Sequence, residues 1–396
     1  MKQKTTCILA ATLAASFATA ESVVKPLNEK GFGTLSGRLQ SVSMYRDYDN
    51  GANAYSTTLG FLLKYTSPDL SGWSLGAAYN GAGVLDSMDY GKTANPGDYL
   101  VSNGRIHVLN EAYVNYTFLE YSSASVGRQI NNAEVFRADD IRQKSRSITA
   151  LQARFNDIGH WRFAGGHAIE QSGILDAGDR WKFRNYGEIF GKSYDTDGMT
   201  WGEAAYTGME ELDIALFDAA AWDVANLFGI RAGYTLSEKT SLLGYYRNEF
   251  NLGRAATHHA DALGLSVVQR VGKVRVEGGY FGVYGDGLQF NPFTTGFNHA
   301  LGTSLMFYTD TFAGGADSFY LKATTRLERS ETILYTLLQY TKQNDLAALN
   351  SAGELDLIVK QPVGENMTVC GKAGLGYQDG PNTPAGDFRL FLTYAF

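Results

Sequence analysis

Cysteine, proline, methionine and long apolar runs are all scarce in this chain, and each scarcity excludes a class of protein. One of its 2 cysteines, Cys7, lies in an N-terminal apolar run, which leaves Cys370 for the rest. A single cysteine makes no intrachain disulfide and no cysteine-rich zinc site, so Cys370 reads as a small strand residue. After the N-terminal run no stretch reaches the ~18 consecutive apolar residues of a membrane-spanning helix. Only 7 Pro and 7 Met stand against 45 Gly, 24 Tyr and 22 Phe. That glycine- and aromatic-rich, helix-poor balance is the composition of a β-barrel. A formal net charge of −7 argues against a nucleic-acid surface. It says little about a pore, whose wall and loops can carry opposite charges.

What is present begins with an address. Lys2 and Lys4 precede an apolar run from Cys7 to Phe17, and small residues follow, ending Ala18-Thr19-Ala20. This is the pattern of a secretory signal peptide over 1–20, cleaved before Glu21, with a single barrel domain over 21–396. At the other end, DFRLFLTYAF puts Phe388, Leu390, Leu392, Tyr394 and Phe396 on one face and Asp387, Arg389, Phe391 and Thr393 on the other. A soluble edge strand with such a face would aggregate, whereas a barrel strand turns it to lipid. The terminal Phe396 marks it as a closing strand and as a handle for the barrel-assembly machinery.

Alternating stretches recur near 32–46, 54–67, 71–82, 105–118, 121–129, 145–156, 160–171, 199–208, 211–222, 224–235, 239–251 and 258–270. They continue near 273–284, 317–328, 331–342, 354–361, 366–378 and 386–396. The fold class is thus all-β, a transmembrane antiparallel barrel of about eighteen strands by this pattern. Short turns such as SPDLSG, NDIG and SEKT alternate with long segments at 83–104, 130–144, 172–198 and 285–316, the asymmetry of short periplasmic turns and long outer loops. Leu301 to Tyr308 could form another strand, but an odd total is unusual for such barrels, so it is assigned to a loop.

Polar residues cannot be turned to lipid cheaply, so alternation also names the lumen face. In RIHVLNEAYVNYTF it sends Arg105, His107, Glu111 and Asn115 inward and Ile106, Val108, Ala112, Val114, Tyr116 and Phe118 outward. The same test sends Arg38, Arg46, Lys64, Arg146, Arg154, Arg162, Arg231, Arg247, Arg275, Lys322, Arg326, Lys372 and Arg389 inward, a basic ladder. Glu111, Glu249, Glu277, Asp356 and Asp387 share that face.

The segment from Glu111 to Phe155 carries a resemblance. Glu111-Ala112-Tyr113, then Gly127-Arg128-Gln129, then Asp140 with Arg142 two residues on, resemble the OprD-like family of outer-membrane porins. The resemblance implies an 18-stranded barrel whose loop after the GRQ strand folds inward to form the constriction. By position it implies Arg128, Glu134, Asp139, Asp140 and Arg142 as constriction residues. Tyr284-Gly285-Asp286-Gly287, with Phe290 and Asn298, are similar to the family's long seventh loop, which adds Asp286, Asn298 and Asp310. The family's proline after the D-x-R element is replaced by Gln143-Lys144-Ser145. Parity and resemblance disagree at Arg128, because alternation places it with Ala124 and Val126 on the lipid side.

The function expected is passive or facilitated diffusion of small hydrophilic solutes bearing a carboxylate, such as amino acids or small organic acids, across an outer membrane. The segment ESVVKPLNEKGFG is too short for a plug domain. A general non-selective porin and a structural or adhesive barrel are the alternatives, and the oligomer is open between monomer and homotrimer. His107, His160, His167, His258, His259 and His299 sit in no nucleophile or metal signature, so neither catalysis nor a cofactor is expected.

Overall fold

The computed structural model describes residues 31–48, 53–89, 105–138, 142–173, 181–254, 257–292, 294–296, 311–343, 351–378 and 384–396. The first half of the wall runs β1 (Thr34–Tyr48), β2 (Asn53–Thr66), β3 (Trp73–Asp89), β4 (Arg105–Leu119), β5 (Ser122–Gln129), β6 (Ser147–Ile158) and β7 (Trp161–Ser172). A short β8 (Phe183–Asn185) and a single helical turn, α1 (Tyr186–Ile189), follow. The second half runs β9 (Met199–Met209), β10 (Leu212–Ala221), β11 (Ala225–Ser237), β12 (Thr240–Asn251), β13 (His259–Val271) and β14 (Val274–Gly285). It ends with β15 (Ala316–Arg326), β16 (Ile333–Gln343), β17 (Ser351–Val363), β18 (Met367–Gln378) and β19 (Pro384–Ala395).

Each wall strand pairs antiparallel with the next, β7 with β9, and β19 with β1, which closes the barrel. β8 pairs only with β7, so the wall has eighteen strands and β8 is extra. All eighteen alternating stretches anticipated above are strands. β3 and β17 run further than the pattern indicated, and β8 and α1 were not anticipated. Leu301 to Tyr308 and residues 1–20, where a signal peptide is expected, lie outside the described residues.

Backbone hydrogen bonds run to the end of the seam. The Gly37 N–H donates to the Phe396 carbonyl at 2.9 Å and the Phe396 N–H to the Gly37 carbonyl at 3.0 Å. Phe388 and Leu392 stand exposed on the outer face while Asp387, Arg389 and Phe391 are buried inside, as the alternation of the last strand requires. Connections at one end are two to six residues long and those at the other end include all the long segments. Aromatic rings gather near the short-turn end: Trp73 stacks on Tyr116 at 4.5 Å and Trp161 lies 5.1 Å from Tyr206. Such a girdle suits a membrane interface, where an aromatic ring meets both apolar and wet surroundings.

One irregularity redirects a whole half-strand. The register between β3 and β4 shifts where Ala78 meets Glu111 and Tyr79 meets Leu109, so Asn110 is a bulge. A bulge reverses the parity of everything beyond it. Below it Glu111 and Tyr113 point inward. Above it Ile106 and Val108 point inward, buried with Val42, Met44 and Phe391, and Arg105 and His107 point outward. The expectation that Arg105 and His107 share the lumen face of Glu111 is therefore corrected.

Candidate functional site: a lumen crossed by two loops

The barrel is not an empty tube, because the connection from β5 to β6 turns inward. Its first part lies against the far wall. Ala133, Val135 and Phe136 are buried with Trp201, Phe217, Leu227, Tyr245 and Phe281, and Phe136 meets Trp201 edge-on at 5.7 Å. Burying a side chain of this kind is worth ~1.5–3 kcal/mol, so this apolar contact holds the loop down. Glu134 then accepts from Arg231 of β11 at 2.9 Å, and its backbone N–H donates to Glu203 of β9 at 2.8 Å.

The later part of the same loop reaches the opposite wall. Gln143 donates to Thr58 of β2 at 2.7 Å, and it fits because Gly60 has no side chain, since a Cβ there would collide with the Gln143 side-chain oxygen. Arg142 lies 3.4 Å from the Met44 sulfur of β1. Lys144, fully buried, donates to the Ser172 hydroxyl at 3.0 Å and the Gly173 carbonyl at 2.9 Å. The loop thus touches β1 and β2 at one end and β9 and β11 at the other, bridging the lumen.

A second loop, after β14, closes onto the first. Arg146 donates to the carbonyls of Thr294, at 2.9 Å, and Pro292. Glu249 of β12 accepts the N–H of Gln289 at 2.7 Å, and Phe290 packs on Phe190 at 5.1 Å. Arg146 is therefore the clamp between the loops, not an open rung.

The wall cations divide into paired and open groups. Asp387 takes Arg46 at 2.5 Å and Arg389 at 2.7 Å. Lys64 meets Glu111 at 3.0 Å, and Glu277 takes both Lys322 at 2.8 Å and Arg275 at 3.1 Å. Arg231 bridges Glu134 and Asp213, and Arg326 pairs with Glu331 at 3.2 Å. Arg247 lies beside Glu249 with neither exposed at all, so it offers nothing to a passing solute. Arg389 is likewise buried.

Arg154 and Arg162 differ, since among the described residues neither has an ion-paired or hydrogen-bonded partner. Among the described residues, recesses open on the lumen. One of about 290 Å³ holds Lys64, Glu111, Gln129, Gln152 and Arg154. The second, of about 320 Å³, holds Arg154, Arg162, Arg231, Glu134 and Glu203. The third, of about 390 Å³, lies across the barrel near its short-turn end, with Arg38, Lys360, Cys370 and Lys372.

Two constriction candidates are placed elsewhere. β5 runs against β6 without a register shift, so Arg128 keeps the parity opposite to Ser125 and Gln129, which line the first recess. It caps the Phe183 ring at 4.1 Å and contacts the Leu109 carbonyl, and does not face the lumen. Asp286 accepts the His259 N–H at 2.9 Å with its side chain 59% exposed. It pins the start of the loop to β13 rather than narrowing the passage. Asp139, Asp140, Asn298 and Asp310 lie outside the described residues. Glu203 was missed because its strand, MTWGEAAYTGM, shows apolar Met199 and Trp201 on the same face, which alternation assigns to lipid.

No family model matches the chain, and no curated protein matches it in sequence. Solved structures do. Pseudomonas aeruginosa OccK2 (OpdF) superposes with a TM-score of 0.75 at 15% identity, covering 91% of this chain and 97% of that one; its complex with glucuronate gives 0.71 over the same shares. A BenF-like porin from Pseudomonas fluorescens Pf-5 gives 0.75 at 15% identity over 91% and 98%. Pseudomonas aeruginosa OpdK with vanillate gives 0.72 at 13% identity over 91% and 98%. The chain has the fold of these porins, an eighteen-stranded barrel of the kind to which the OprD-like resemblance pointed.

Proposed function

We propose that the chain is an outer-membrane diffusion channel, not an enzyme, for small hydrophilic solutes that carry a carboxylate. The observation that carries this reading is the open pair Arg154 and Arg162 beside a loop that bridges the lumen. Guanidinium groups hold carboxylates by charge-assisted hydrogen bonds, and a pair exposed to water holds them weakly enough to release. Arg38, Lys360 and Lys372 offer a further basic station towards the short-turn end. The OccK2 structure in complex with glucuronate and the OpdK structure with vanillate, both carboxylates, support the same solute class. Localisation to a bacterial outer membrane rests on the porin fold together with the signal-like N-terminus.

The test is block of single-channel current by propionate. Replacing Arg154 and Arg162 together with Ala removes charge-assisted contacts worth ~1.5–3 kcal/mol, so propionate binding falls by ~10-fold or more. Unchanged block in the double variant would show that the two arginines take no part.

A further inference from the structure

The second recess is polarised rather than simply basic. Its floor is made of small side chains, Ala164, Ala205 and Ala215. Across that floor the strand registers align Arg154 of β6 with Ala164 of β7 and Glu203 of β9. Two residues along, Arg162 of β7 lies opposite Ala205. Strands in a sheet are ~4.8 Å apart, so the Arg154 and Glu203 backbones stand ~10 Å apart with only an alanine between them. Glu203 gives one carboxylate oxygen to the Glu134 N–H, and the other has no hydrogen bond among the described residues. Arg231 is neutralised by Glu134 and Asp213.

The lining carries three arginines, Arg154, Arg162 and Arg231, against two acids, Glu134 and Glu203, and Asp213 outside it pairs with Arg231. What remains is a dipole, positive at β6 and β7 and negative at β9 and the loop. A recess with separated charges gives a plain anion no advantage beyond its carboxylate. It rewards a solute that is itself neutral overall and carries both charges, by adding a second charge-assisted hydrogen bond.

Resting on the channel reading above, we infer that Glu203 is a specificity-determining residue and that the recess selects zwitterionic carboxylates over simple ones. The carboxylate lies between Arg154 and Arg162, and the ammonium group lies at Glu203. The three alanines leave the space between them free.

β-Alanine and propionate share a three-carbon chain and differ at neutral pH by the ammonium group, so they are the probes. Binding is read from the concentration dependence of current interruptions in single channels of the refolded protein. The wild-type protein is expected to bind β-alanine ~10-fold more tightly than propionate, as one added charge-assisted bond gives. Glu203→Gln keeps an acceptor for the Glu134 N–H but loses the charge, and is expected to abolish that preference while leaving propionate binding within about twofold. Glu203→Asp restores it in part. Equal binding of the two probes by the wild-type protein overturns the inference and leaves the channel reading intact; that comparison needs no variant to fold. A preference that survives Glu203→Gln also overturns it. A wild-type protein that passes no current removes the channel reading and the inference together.

Discussion

Deleting residues 131–144 and joining the ends through two glycines raises single-channel conductance several-fold and removes discrimination between solutes. β5 and β6 are adjacent in the wall, with Gln129 opposite Ile148, so a tight turn can join them without moving either strand. The deleted segment holds the contacts to Thr58, Arg231 and Trp201 through Gln143, Glu134 and Phe136. Without it nothing from this loop bridges the lumen, and Arg231 and Glu203 face open water. Conductance follows the narrowest section of the passage, so a variant that folds with unchanged conductance would put the constriction in the loop after β14 instead. Exposure of Trp201 and Phe217 lowers stability, so folding is checked by heat-resistant mobility on gels before currents are compared.

Asp387→Ala has the largest expected effect on stability. Asp387 sits opposite Arg46 across the seam between β19 and β1 and accepts from Arg46 Nε at 2.8 Å and Arg389 Nε at 2.7 Å. All three side chains are buried. Removing the acid leaves two guanidiniums without the carboxylate they share. Breaking a buried pair this way costs ~3–5 kcal/mol, here at the contact that closes the barrel. Urea unfolding in lipid vesicles is expected to show the midpoint falling well below that of the wild-type protein. Asp387→Asn, which keeps acceptor oxygen but not charge, falls between them. A midpoint for Asp387→Ala equal to the wild type would mean that lumen water solvates both arginines.

The strands were legible in the sequence because a wall between lipid and water imposes a period of two, and eighteen such stretches are eighteen strands. Their closure was legible in the last ten residues. The lumen was only half legible. Alternation equates apolar with lipid-facing, yet Phe217, Tyr245, Phe281 and Leu337 point inward, where the inturned loops cover them. Those residues form a core that a water-filled barrel would not have. The bulge at Asn110 carries no turn-like signature, so Arg105 was sent to the wrong side. At Arg128, where parity and resemblance disagree, the register keeps the side chain on the face of Leu151 and over the Phe183 ring. For Arg154, Arg162 and Arg231 alternation and the structure agree on the inward face. Their separation into open and neutralised cations depended on Glu134, whose partner lies 97 residues away in sequence.

Selective carboxylate diffusion is tested by the current through single refolded proteins in a planar bilayer, under a salt gradient and with propionate added to one side. A selective channel with two open arginines gives small, discrete conductance steps with saturable block by propionate that weakens when Arg154 and Arg162 are both replaced. Large steps indifferent to propionate, or no current at all, would contradict it.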